Sequence, residues 1–238
     1  MSEDLFAGSL QSFWHTLQKL PVAPAIHSRS KATVVGHRDI AWRQSTRQWF
    51  RSGRVGTNYV ARRTYERPGR IAILWDVSGS MADYLELYLP WLWRLVQLSR
   101  EVGVFPFGTD IEEVTPLLRQ PYRLAQTELS KLSELWAGGT TIGEILDEFQ
   151  QRFAPVWVKG RCAVIIISDG WDSGSPERIA GVLRQWKRQD ARIYWLNPLA
   201  ATPGFEPRTR ALKAAMPYVN RMLSGHSPKA LRELYLDS

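Results

Sequence analysis

Ile71-Ala72-Ile73-Leu74-Trp75 is a short, unbroken apolar run that stops abruptly at Asp76. That pattern predicts a strand covered on both faces, as in a parallel sheet. Residues 161–168 repeat it, with Cys162-Ala163-Val164-Ile165-Ile166-Ile167 running into Ser168-Asp169-Gly170. Val102–Phe107 and residues 191–197 read as further strands, the last closed by Asn197-Pro198. Residues 111–115 predict a short edge strand. Helical stretches lie between these runs. Residues 84–100 are rich in Leu and Trp, and Pro90 requires either a late start or a kink. Residues 126–136, 141–153, 207–215 and 228–236 follow, together with Pro176–Arg188, whose proline occupies a permitted first-turn position. Gly143 permits close packing of its helix. A short apolar piece at 218–223 is assigned to neither class. Strands alternating with helices predict an α/β fold: a doubly wound, mostly parallel central sheet with helices on both faces.

The first 69 residues have a different texture. Leu5, Phe6, Leu10, Phe13, Trp14, Leu17 and Leu20 make one apolar stripe at helical spacing, ended by Pro21 and Pro24. Residues 39–50 predict a second helix and residues 51–58 a turn. Residues 1–69 are therefore expected to form a helical, basic extension, and residues 70–238 the α/β domain. The 238 residues, 44% hydrophobic, suffice for one sizeable core. The eleven tryptophans sit mostly inside apolar runs, which assigns them to core and helix faces.

Charge sharpens the division. Residues 27–70 carry a net +9, whereas the rest of the chain is −1, so the whole excess of +8 lies in one segment. Such a segment suits an acidic protein, an anionic membrane face or nucleic acid, or serves as a solvated face. Arg62, Arg63 and Arg67 interleave with aromatics, as in single-strand binders, but no nucleic-acid module accompanies them. No apolar stretch approaches the roughly 18 residues needed to span a bilayer. Met1-Ser2-Glu3-Asp4-Leu5-Phe6 lacks the basic and apolar regions of a signal peptide, so a cytoplasmic location is expected.

Candidate chemistry gathers at three loops. Asp76, Ser78 and Ser80 follow the first strand at alternate positions, with Gly79 expected to allow a tight backbone. Gly138-Gly139-Thr140-Thr141 precedes a helix, and Asp169 ends the strand that begins at Cys162. Ligands of open α/β sheets bind at the carboxyl ends of strands. An oxygen-only donor set there suits a hard cation such as Mg²⁺ and not zinc or copper. Either Thr140 or Thr141 could supply the hydroxyl. The single cysteine, Cys162, excludes an internal disulfide and a cysteine-based zinc site, and reads as a buried core residue. No histidine lies near the three loops, no GxSxG elbow is present and no GxxxxGK[ST] phosphate loop occurs. Serine-hydrolase and nucleotide-hydrolase chemistry therefore have no support. A metal-dependent phosphoesterase using the same cation as a Lewis acid is the alternative enzyme reading.

Asp76-x-Ser78-x-Ser80, Thr140 and Asp169 together resemble the metal-ion-dependent adhesion site of von Willebrand factor A domains. Val104-Phe105-Pro106-Phe107-Gly108-Thr109, Gly139-Thr140-Thr141-Ile142-Gly143, Ile167-Ser168-Asp169-Gly170-Trp171-Asp172 and Trp195-Leu196-Asn197-Pro198-Leu199 are similar to the CoxE-like subgroup. The resemblance runs from about residue 62 to the C-terminus and, less clearly, over the basic segment before it. It implies one Mg²⁺ (or Mn²⁺) held by Asp76, Ser78, Ser80, Thr140 and Asp169, with Thr140 chosen over Thr141 by the family register. Thr141 then sits near the helix start as a cap, Asp172 and Asp110 lie at the rim, Asp172 more often being a loop or helix-cap carboxylate and not a ligand, and Asp83 and Glu144 are solvated or capping. An open position would accept a partner's Asp or Glu carboxylate. The resemblance further implies a non-catalytic binding module that works with a MoxR-type AAA+ ATPase (CoxD-like) in maturing a metalloenzyme client such as carbon monoxide dehydrogenase.

Overall fold

The computed structural model describes residues 27–34, 46–47, 51, 61–135, 139–160 and 162–231. The chain divides into two compact units, one formed by His27–Pro68 and the other containing everything from Gly69 onward. In the first unit β1 (His27–Val34) pairs antiparallel with β2 (Ala61–Pro68), Ser28 opposite Arg67 and Val34 opposite Ala61. The basic segment was expected to be helical; Thr46, Arg47 and Arg51 are helical, but the segment also carries this hairpin. Its strands are polar and lack a clean apolar alternation, so their period is weak in sequence. The helix expected over residues 5–20 lies outside the described residues.

The second unit is built on β3 (Arg70–Asp76), β4 (Val102–Phe107), β5 (Cys162–Ile167), β6 (Arg192–Leu196) and β7 (Arg221–Leu223). All pair in parallel, in the order β4-β3-β5-β6-β7. The apolar piece at 218–223 thus supplies a fifth strand, too short to be recognised by period. The expected edge strand at 111–115 is not present. Phe107 and Ile111 share one antiparallel bridge, and Thr115 already opens a helix. Its hydroxyl accepts from Val104 N at 3.0 Å, so a side chain and a turn satisfy the free edge of β4 in place of a strand. Pro106 is tolerated on such an edge.

A 3₁₀ turn at Gly79–Tyr84 leads into α1 (Leu85–Leu98), which continues past Pro90. Then come α2 (Thr115–Leu118), α3 (Tyr122–Leu135), α4 (Ile142–Arg152), α5 (Ala154–Trp157), α6 (Pro176–Arg188), α7 (Arg210–Ala215) and α8 (Pro228–Leu231). Alternation along β3 divides the core. Ile71, Ile73 and Trp75 face a layer containing Trp91, Leu92 and Leu129, and Ala72 and Leu74 face one containing Phe149, Trp186 and Leu212. Both faces of the sheet are therefore covered, which is why β3, β5 and β6 read as continuous apolar runs. Close helix contact is visible at Gly143, where a Cβ would lie 2.8 Å from Ser175 O and 3.1 Å from Arg178 Cβ. Cys162 is fully buried, and burial pushes its thiol up to about 11. Among the described residues, no helix is long and apolar enough to cross a membrane.

Candidate metal centre

β3 and β5 are adjacent, and both deliver their last residues to the carboxyl edge of the sheet. Asp76 closes β3 and is 0% exposed. Its Oδ1 accepts from Ser78 N at 3.0 Å, which turns the chain sharply after the strand. Its Oδ2 accepts from the Ser168 hydroxyl at 2.7 Å, which joins the first loop to the one after β5. Ser78 Oγ and Ser80 Oγ lie 3.3 Å apart. Ser78 is buried and Ser80 exposed, so the pair spans the site's mouth. A Cβ on Gly79 would meet nothing within 4 Å, and its φ is not positive. The backbone is tight there, with Met81 N donating to Ser78 O at 2.9 Å at the start of a 3₁₀ turn, but neither φ nor space at Gly79 requires a glycine.

The β5 loop is held from below. Trp195 Nε1 donates to Ser168 O at 2.9 Å, and the buried Asn197 donates from Nδ2 to Asp169 O at 3.0 Å. Asp169 itself is 4% exposed, and its Oδ1 accepts from Trp171 N at 2.9 Å. Gly170 has φ +78°, and a Cβ there would come within 2.6 Å of Leu212 Cγ. Only glycine fits this turn.

The Thr140 loop is fastened to the same segment. Ser173 donates to Thr140 O from both N and Oγ, each at 3.2 Å. Asp172 Oδ1 accepts from Ile142 N at 2.7 Å and from Gly174 N at 3.1 Å. Thr141 occupies the N-cap position of α4 but makes no side-chain cap bond. The expected Thr141 cap is therefore corrected: Asp172, 30 residues away, caps the helix in its place. Asp172 is thereby committed to the backbone. Asp110 accepts from Ile111 N and lies 3.8 Å from Arg152, and Glu144 lies 3.8 Å from Arg178. Asp83 is exposed.

Sequence reasoning singled out the five candidate donors but gave no role to Ser168, Trp195 or Asn197, which hold two of them in place. Ser168 stood in the motif. Asn197 was visible only as the Asn of Asn-Pro.

The electrostatics are unbalanced. Burial pushes the Asp76 carboxyl above the usual carboxylate range, and the negative charge of Asp169 pushes it the same way; hydrogen bonds from Ser78 and Ser168 oppose this. No salt bridge among the described residues involves Asp76 or Asp169. Thr140 is 7% exposed, and its Oγ1 is buried with no hydrogen-bond partner. Buried carboxylates without a cation and a buried hydroxyl without a partner are each unfavourable. Among the described residues no three His, Cys, Asp or Glu side chains are grouped to hold an ion, so a cation here must draw on hydroxyls. Two carboxylates, two serines and a threonine are hard oxygen donors, and they fit Mg²⁺ or Mn²⁺.

A parallel sheet covered on both faces, with this loop set at its carboxyl edge, is the architecture of the von Willebrand factor A class. The family model described as VWA domain containing CoxE-like protein matches residues 19–231. The chain belongs to that family. No curated protein sequence matches it. Among solved structures, the chain is similar to an aerotolerance-related membrane protein from Bacteroides fragilis, at 17% identity and TM-score 0.47, covering 70% of this chain and 96% of that one. It is similar to the conserved hypothetical protein BatB from Bacteroides thetaiotaomicron, at 18% identity and TM-score 0.44, with 70% and 96% covered. The VWA domain of SpRpn10 matches at 15% identity and TM-score 0.43, with 71% and 95% covered.

Proposed function

We propose that this chain is a non-catalytic, metal-dependent adaptor that binds a partner protein through a carboxylate. In this reading Asp76, Ser78, Ser80, Thr140 and Asp169 hold one Mg²⁺ (or Mn²⁺). When bound, the ion would supply an open coordination position for a third carboxylate, with no net negative charge to repel it, since two Asp charges only balance its own. The observation that carries the reading is the Thr140 hydroxyl, buried without a partner on a loop tied to the one bearing Asp169. The chain's own residues do the positioning. Ser168 holds Asp76, Asn197 and Trp195 hold the Asp169 loop, and Asp172 with Ser173 holds Thr140. Family membership supports a protein-interaction role. The partner we infer is a MoxR-type AAA+ ATPase, and the client a metalloenzyme or protein complex under maturation, carbon monoxide dehydrogenase being the type suggested by the CoxE-like resemblance. A cytoplasmic location accords with that partnership.

Calorimetric titration of metal-free protein with Mg²⁺ and Mn²⁺ tests the site. Saturable binding is expected in the wild type and absent in a folded Asp76→Ala variant. At a metal concentration of 100 Kd, binding to the folded state alone adds about 2.7 kcal/mol, which a thermal melt reads independently. Equal heats in wild type and variant would sink the reading.

A further inference from the structure

Trp171 is 68% exposed, the most exposed of the large apolar side chains among the described residues. The others, on α1, α3, α5 and beside α7, are scattered aliphatic positions of an ordinary surface. Trp171 differs from them in three ways. It sits two residues after Asp169, so its Cα is at most about 7 Å from that of a candidate cation donor. It is also held on both sides by the site itself. Its N–H donates to Asp169 Oδ1 at 2.9 Å, and the next residue's carboxylate binds Ile142 N at 2.7 Å and Gly174 N at 3.1 Å. Finally, Gly170 before it is locked in a left-handed turn against Leu212. The ring is thus presented to solvent from a rigid turn. Among the described residues it joins no aromatic pair, and its indole N–H makes no hydrogen bond.

A rigid, exposed tryptophan beside a polar site is the kind of residue that carries most of an interface's binding energy, because little entropy is lost when it is covered. We propose that Trp171 is the aromatic contact by which the chain selects its partner, a protein segment with a large apolar side chain within two residues of the Asp or Glu that enters the cation site. This rests on the adaptor reading above and names the partner's chemistry. The spacing follows from reach: one or two residues of extended peptide span about the distance from Asp169 to Trp171. The chemistry follows from the two neighbouring groups: the cation position takes a carboxylate, and the exposed indole takes a large apolar side chain.

The probe is a phage-displayed random-peptide library, panned on the immobilised full chain in Mg²⁺ and eluted with EDTA. Wild type, Trp171→Ala and Trp171→Phe are compared. Wild type is expected to select peptides with Asp or Glu within two positions of Leu, Ile, Met or Phe. Those peptides should bind Trp171→Ala about tenfold or more weakly and Trp171→Phe nearly normally, as expected for an interface hot spot. Melting temperature and Mg²⁺ affinity should not change, because the turn is held by main-chain bonds. EDTA-sensitive peptides that lack the apolar neighbour, or that bind Trp171→Ala equally well, would overturn the inference and leave the adaptor reading standing. Failure to select any EDTA-sensitive peptide would overturn both. Metal-independent self-association abolished by Trp171→Ala, seen by sedimentation velocity, would assign the ring to a second copy and overturn the inference.

Discussion

Asp76 carries the sharpest conflict between stability and function. It is wholly buried, its charge is opposed by burial and by Asp169, and only hydroxyl and amide donors relieve it. A carboxyl whose pKa is raised by folding binds its proton more tightly in the folded chain than in the unfolded one. The metal-free fold therefore loses stability as pH rises from the usual carboxylate range through the raised value. Asp76→Asn removes that loss. We expect the metal-free variant to melt at least about 2 °C above wild type at pH 7, since about 1 kcal/mol moves Tm by 2–4 °C in a chain of this size. The gap should close as pH falls below the usual carboxylate range. Saturating Mg²⁺ should reverse the order, raising wild type only. A variant that melts lower than wild type at neutral pH in EDTA would mean that the carboxylate's hydrogen bonds to Ser78 and Ser168 outweigh its desolvation.

At the scale of elements, the decisive contact is Asp172 on the N-terminus of α4. Replacing a capping carboxylate by alanine costs about 1 kcal/mol in other helices. Here the same oxygen also fixes Gly174, so the Thr140 loop and the Asp169 loop come apart together. Asp172→Ala should lower Tm by a few degrees and weaken Mg²⁺ binding several-fold, although Asp172 is not among the candidate donors. Asp172→Asn keeps an accepting oxygen and should retain most of both. Hydrogen exchange at the Ile142 amide reads the cap directly, and unchanged protection in Asp172→Ala would refute the coupling. Asp172 read in the sequence as a loop or helix-cap carboxylate, but the helix it caps was not legible, because Thr141 stood at the cap position and Asp172 lay 30 residues away. Main-chain bonds between distant loops leave no periodic trace. What was legible followed from burial: β3, β5 and β6 are covered on both faces and so are continuously apolar, and each ends where an acid or amide must turn the chain. β7, with three residues, and the polar hairpin at His27–Val34 and Ala61–Pro68 offered no such signature.

For the whole molecule, the question is whether the basic segment belongs to the machine that binds metal. The hairpin and the five-stranded sheet share no strand pairing, and the two units are separately compact. The α/β unit buries two apolar layers. Residues 27–70 hold eleven Lys and Arg, so trypsin has ample sites there. Limited digestion should therefore cut first within residues 27–68, after Arg62 or Arg63 for example, and leave the α/β unit from Gly69 onward intact. The nicked protein should bind Mg²⁺ within about threefold of the uncut chain, because every candidate donor lies in the second unit. Release of the cleaved basic fragment should appear elsewhere, as slower and less salt-sensitive association with an acidic partner. Mass spectrometry of the first products, followed by titration of the nicked protein, decides the matter. Early cuts inside the α/β unit, or loss of metal binding on nicking, would place the hairpin in the working core and move the proposed boundary at residue 69.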